Sequence, residues 1–221
     1  MPQLNQDRSN AAGALLGSQF LVCGGGPANS VLDTCEQLSP STHQWTTLGA
    51  KVPHSVMDAA AVSYGDHLYL LGGNDGAVAT PFFQRLDGAT GSWRVLSDMI
   101  TPREGLRAVV TDSLWGQSIV ACGGWNDGKV LFSCEQFALN NDDNDRNGRW
   151  HIFPPMRTRR MHHGLVYVAT GEWSGAIYAI GGWNGKDNSE TIERWDRLTD
   201  QWTELTTRMP KGRTAFATVV Y

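Results

Sequence analysis

The chain has 221 residues and a formal net charge of −4, which gives no electrostatic reason to expect a nucleic-acid partner. No apolar stretch reaches the roughly 18 residues needed to cross a bilayer, so no membrane association is expected. The polar opening Met1–Arg8 lacks the basic-then-apolar pattern of a signal peptide, so the expected setting is cytoplasmic.

In chain order, Ala11–Leu16 reads as a first strand and Phe20–Cys23 as a second, ending in Gly24-Gly25. The arrangement returns with Leu68–Leu71 before Gly72-Gly73, Ser118–Cys122 before Gly123-Gly124, and Ala176–Ile180 before Gly181-Gly182. Successive doublets start 48, 51 and 58 residues apart, and each is followed by a tryptophan: Trp45, Trp93, Trp150 and Trp202. Self-similarity at this period marks a repeat protein. Turn residues such as Asn74-Asp75-Gly76, Asn126-Asp127-Gly128 and Asn184-Gly185 follow the later doublets and supply the positive φ of a tight reversal. The third strand carries an acid or amide two residues before a large apolar side chain: Glu36/Leu38, Gln84/Leu86, Glu135/Phe137 and Glu193/Trp195. Four short antiparallel strands per unit, without helical periodicity, predict all-β radial repetition.

The units run over about 8–48, 53–97, 103–155 and 160–206, with an insertion at 140–149 and a longer first hairpin around Thr170–Gly175. Residues 1–7 read as a short tail, and 213–221 as the first strand of a fifth unit. One unit alone cannot bury its apolar side and must pack on neighbours. The glycine doublets suit places where sheet backbones crowd together, because they lack Cβ. The tryptophans read as wedges between units, each worth up to roughly 5 kcal/mol at about 25 cal/mol/Å².

Apolar strand, Gly-Gly, Asn-Asp-Gly, Glu-x-aromatic and Trp together resemble the kelch repeat, most fully in Ile177–Gly182, Ile192–Asp196 and Trp202. The resemblance covers about Arg8 to Tyr221 and implies a kelch-type β-propeller of four four-stranded blades plus the first strand of a fifth. Leu38 and Leu86 depart from the usual aromatic, and looser packing is expected there. Kelch propellers usually close with five to seven blades, so an incomplete propeller is expected, with closure around four blades as the alternative.

The four cysteines occupy two slots, Cys23/Cys35 and Cys122/Cys134, without zinc spacing. They are read as small buried thiols in preference to cross-strand disulfides. No H-E-x-x-H, G-x-S-x-G or G-x-x-x-x-G-K motif occurs, and no catalytic residue, metal or cofactor is expected. Asp143–Gly148 opens like a calcium loop, but Pro154 stands at its twelfth position, so it is read as a solvated insertion.

The resemblance also implies a protein-binding face. It would be lined by residues after the doublets (Asn74, Trp125, Trp183), residues opening the third strand (Thr34, Ser133, Thr191), and arginines before the first strand (Arg8, Arg103, Arg160, Arg213). Repeat two has no such arginine. Tryptophan and arginine are common hot-spot residues, and forked guanidinium groups suit carboxylates, so a protein or short acidic peptide is the expected partner. For the arginines, a structural role pinning inter-blade carbonyls stands beside the binding role. A substrate-receptor role for a cullin-based ubiquitin ligase is implied by the resemblance, although no BTB or F-box segment precedes Arg8. Actin binding and sugar binding or processing are the alternatives.

Overall fold

The computed structural model describes residues 2–28, 30–113, 116–139, 148–172 and 174–218. Each repeat folds as one sheet whose strands pair in sequence order, antiparallel throughout. The first sheet comprises β1 (Ala12–Leu16), β2 (Gln19–Cys23), β3 (Cys35–Leu38) and β4 (Trp45–Thr47). The second comprises β5 (Ala60–Tyr64), β6 (His67–Leu71), β7 (Phe83–Asp87) and β8 (Trp93–Val95). The third comprises β9 (Arg107–Ser113), β10 (Gly116–Cys122), β13 (Cys134–Leu139) and β14 (Trp150–Phe153). Between β10 and β13 lies the ribbon β11 (Trp125–Asn126) and β12 (Lys129–Val130), turned by Asp127 and Gly128 at positive φ. The fourth sheet comprises β15 (Gly164–Val168), β16 (Ala176–Ile180), β17 (Ile192–Asp196) and β18 (Gln201–Glu204).

The chain divides into two compact units, Met1–Glu104 with the first two sheets and Gly105–Tyr221 with the others. Each unit has an apolar core. In the first, Leu21, Cys23 and Cys35 meet Leu68, Leu70 and Leu86, with Trp93 packed on the cluster. In the second, Val109, Cys122 and Cys134 meet Ile177, Trp195 and Trp202. The interface is the same in both: the tryptophan-bearing face of the later sheet lies on the cysteine-bearing face of the earlier one. Trp202 is the wedge expected, 4 % exposed, with its indole N–H donating to the Pro154 carbonyl of the preceding repeat at 2.9 Å. Trp150 is 6 % exposed against Phe137, whereas Trp45 is half-buried edge-to-face with Phe20. Leu86, expected to loosen its sheet, is 2 % exposed inside the first core.

The cysteines depart from the expectation. Cys23 faces Cys35, and Cys122 faces Cys134, directly across adjacent strands, and both pairs are disulfides. The shared register of the two repeats brings each Cα pair to 4.1 and 4.2 Å, and a directly opposed antiparallel pair can be bridged. Sequence spacing alone does not show that opposition.

The doublets sit where backbone crosses backbone. Gly25 donates to the Val56 carbonyl, Gly73 to Arg103, Gly124 to Arg160 and Gly182 to Arg213, at 2.7–2.9 Å. All eight doublet glycines (Gly24, Gly25, Gly72, Gly73, Gly123, Gly124, Gly181, Gly182) have positive φ. A Cβ on Gly123 would overlap the Arg160 carbonyl oxygen, so φ and space both exclude a side chain there. A second regularity lies two residues after those carbonyls, and two after Arg8 in the first repeat. Asn10, Asp58, Gly105, His162 and Ala215 all take left-handed φ. Asp58 donates to Asn10, His162 to Gly105 and Ala215 to His162. The repeat register therefore persists to Ala215. Residues 213–218, expected as a strand, pair with no strand here.

His163 lies between the doublets of the second unit, against Gly123 and Gly182. It is fully buried and neither ring nitrogen has a hydrogen-bond partner. Burial holds its pKa well below the usual histidine value, with the charges of Arg107, Arg160 and His162 adding to the effect. The unfolded chain thus binds a proton below about pH 6.5 that the folded chain refuses, and stability falls as pH drops through that range. Urea denaturation from pH 7.5 to 5.5 should show a wild-type slope steeper than that of His163→Leu by up to about 1.4 kcal/mol per pH unit.

Candidate protein-binding site

Three of the four expected arginines turn inward. Arg8 donates from Nε to Glu36 at 3.0 Å and from Nη1 to the Gly24 and Thr34 carbonyls at 2.9 and 2.8 Å. Arg160 repeats this, with Nη1 on the Gly181 and Thr191 carbonyls and Nη2 on Glu193 at 2.9 Å. The hydroxyls of Thr34 and Thr191 accept from the same two guanidinium groups. Arg103 is 1 % exposed. Arg8 and Arg160 thereby join the strands of their own blade, because a buried guanidinium must fill its donors internally.

The acidic residue of the third strand is the other half of this device. Glu36, Glu135 and Glu193 are each 0–1 % exposed. Glu36 accepts from the Asn5 and Gln6 N–H groups, and Glu193 from Arg157 and Thr158, at 2.6–3.2 Å. Residues 5 and 6 are therefore pinned, where a tail was expected. Burial acts to raise the Glu36 carboxyl, but the Asn5 N–H, Arg8 and the Gln6 N–H outweigh it and hold its pKa below the usual value.

Repeat two shows the logic by exception. Val56 stands in place of the arginine, Pro53 in place of the first N–H donor, and Gln84 in place of the glutamate. With no guanidinium to neutralise a carboxylate, an amide fills the slot. Its Oε1 accepts from the His54 N–H at 2.7 Å and its Nε2 donates to the His54 carbonyl at 3.0 Å. All three changes are visible in the sequence, and their coincidence is the signal that marks these arginines as structural.

Asn74 is also a builder. Its amide donates to Glu104 and its Oδ1 accepts from Gly76, closing its own turn. Ser133 is half-buried at the mouth of β13, and Arg213 has an exposed side chain.

The tryptophans after the doublets, expected outward, are half-buried. In the second unit, Gly124 is fastened to the Arg160 carbonyl, and Trp183 exchanges backbone hydrogen bonds with Met161 at 3.0 Å. Trp125 and Trp183 thus leave adjoining backbone positions, and both indoles are half-buried. Next to buried Arg160 stands exposed Arg159, its guanidinium 5.0 Å from the centre of the Phe132 ring and one nitrogen on the Val130 carbonyl. In the first unit His54 stacks on Phe82 at 4.1 Å. The Arg159–Phe132 pair was not foreseen, because Arg159 and Arg160 look alike until the fold buries one. Among the described residues no group of three metal-ligating side chains converges. Residues 143–147 of the calcium-like string lie outside the described residues.

The Kelch motif matches residues 7–50 and 164–209, the first and fourth sheets. These are kelch repeats. The chain is 28 % identical over 216 residues to bovine (Bos taurus) Kelch-like protein 36, covering 95 % of this chain and 33 % of that protein. It is 29 % identical over 206 residues to the Caenorhabditis elegans Kelch repeat and BTB domain-containing protein F47D12.7, covering 90 % and 33 %. Vaccinia virus (strain Western Reserve) Kelch repeat protein C2 is 26 % identical over 203 residues, covering 91 % and 36 %. The kelch chain therefore spans about a third of the length of these relatives. The solved structure of YjhT superposes with a TM-score of 0.77 at 15 % identity, covering 95 % of this chain and 73 % of that one, so the fold is a kelch-type β-propeller fold.

Proposed function

We propose that this kelch chain is a non-enzymatic protein-binding module and that the surface around Trp125, Trp183 and Arg159 takes an acidic peptide segment of a partner protein. The carrying observation is the sorting of side chains at the doublets: the Arg8, Arg103 and Arg160 side chains are buried, whereas Trp125 and Trp183 are half-buried and Arg159 is exposed. Large rigid aromatics beside a guanidinium suit a carboxylate-bearing segment, since the indoles supply area and the guanidinium supplies forked donors. Recognition of substrates for a cullin-based ubiquitin ligase is the cellular role this reading favours, supported by the BTB domain in the name of the C. elegans relative.

The test is a peptide-array screen with the full chain, followed by titration of the best binder. Trp183→Ala and Arg159→Ala should each weaken binding at least ten-fold, with thermal midpoints within a few degrees of wild type. Binding that survives both substitutions, or enriched peptides without Asp or Glu, would place the contact elsewhere. Cosedimentation with actin filaments, unaffected by either change, would favour a cytoskeletal role instead.

A further inference from the structure

Arg8 and Arg160 divide their donors in the same way. Nη1 serves backbone carbonyls, and the edge carrying Nε holds a carboxylate. Arg8 reaches Glu36 through Nε at 3.0 Å, and Arg160 reaches Glu193 through Nε and Nη2 at 3.3 and 2.9 Å. Exposed Arg159 begins the same division. Its Nη1 donates to the Val130 carbonyl at 2.7 Å, and its guanidinium lies 5.0 Å from the centre of the Phe132 ring. Its Nε and Nη2, the edge that meets a carboxylate in Arg160, have no acceptor among the described residues.

Val130 joins this guanidinium to the indoles. It stands opposite Trp125 in the β11–β12 ribbon, and a Cβ on Gly185, two residues beyond Trp183, would lie 3.6 Å from its Cγ2. A second guanidinium stands beside the first. Along the segment that joins β14 to β15, Arg157 and Arg159 are exposed, Thr158 is half-buried and Arg160 is buried. Arg157 and Arg159 therefore emerge on one side, and the Arg157 N–H is fixed on the Glu193 carboxylate at 2.6 Å. Two exposed carboxylates, Asp127 and Asp187, stand in the turns that follow Trp125 and Trp183. They oppose a long run of negative charge across the indoles and leave the arginine pair to one concentrated anion.

We propose, resting on the acidic-peptide reading above, that the group held by Arg159 and Arg157 is the phosphate of a phosphoserine or phosphothreonine in the partner protein. A carboxylate has two oxygens and fills one guanidinium fork. A phosphate monoester presents three terminal oxygens and about −1.5 to −2 charge at pH 7, so it occupies both guanidinium groups at once. The half-buried indoles supply rigid area beside it. The net charge of −4 and the two turn aspartates weigh against a nucleic-acid backbone as the source of the phosphate.

The test is a peptide library with one fixed position, made with phosphoserine, aspartate or serine there and titrated against the purified full chain. Phosphoserine peptides should bind at least about ten-fold tighter than their aspartate counterparts. Arg159→Lys keeps the charge but loses the fork, and should weaken phosphopeptide binding at least about ten-fold. Arg157→Ala should erase most of the preference for phosphoserine while leaving aspartate peptides within about two-fold of wild type. Arg197→Ala, just past the end of β17 remote from the doublet, should change nothing. Aspartate peptides that bind as tightly as phosphoserine peptides would overturn this inference and leave the acidic-peptide reading standing. Binding by neither acidic form would overturn both. A phosphoserine preference untouched by the Arg157 and Arg159 changes in folded protein would place the phosphate elsewhere. A single-stranded oligonucleotide that displaces the phosphopeptide at lower concentration would assign the pair to nucleic acid and overturn the proposal. The comparison of the three peptide forms on the wild-type chain decides even if a variant loses its fold.

Discussion

Arg160→Val is expected to destabilise the chain by about 3–5 kcal/mol, and adding Glu193→Gln to return at least half of that loss. The single change leaves the Glu193 carboxylate at 0 % exposure without its cation, and takes the Arg160 donor from the Gly181 carbonyl and one of two donors from the Thr191 carbonyl. A buried charge without a partner costs far more than the pair contributes. The double variant instead writes the residues of repeat two into repeat four, since Val56 and Gln84 already fill these slots without a charge. A glutamine at 193 keeps the acceptor for the Thr158 N–H. Recovery should stop short of complete, because Arg157 still offers an N–H where repeat two has Pro53. Guanidinium denaturation of the wild type, both single variants and the double variant gives the coupling directly. Additive losses would show that the arginine and glutamate are stabilised independently and that repeat two holds no alternative solution.

The same comparison shows what could be read in the sequence. Doublets, strand order and the residues flanking each tryptophan were legible because each repeat states them again in the same register. The disulfides were not, because two cysteines twelve residues apart carry no sign of facing one another until β2 and β3 are paired. Nor was the division between Arg159 and Arg160: a one-residue step along an extended chain reverses the side, and here it separates a solvent guanidinium from one with no exposure. Trp125 and Trp183 were placed outward from their turns, and the structure leaves both half-buried.

Position in the repeat and position in the packing are different quantities, and the tryptophans separate them. Trp202→Ala is expected to cost about 3–5 kcal/mol, a drop of roughly 6–20 °C in thermal midpoint for a chain of this size. It removes an indole that is 4 % exposed, opens a cavity beside Phe153 and Trp195, and leaves the Pro154 carbonyl without its donor. Trp45→Ala alters the equivalent residue of repeat one, yet should cost only about 1 kcal/mol. Trp45 is half-buried, belongs to neither core cluster and leans on Phe20, itself 40 % exposed. Differential scanning calorimetry of the two variants beside the wild type measures both. Equal losses at the two sites would mean that the tryptophan acts within its own sheet, through its third-strand partner, and not as a wedge between blades. A small loss at Trp202 would remove the inter-sheet core of the second unit as a main source of stability.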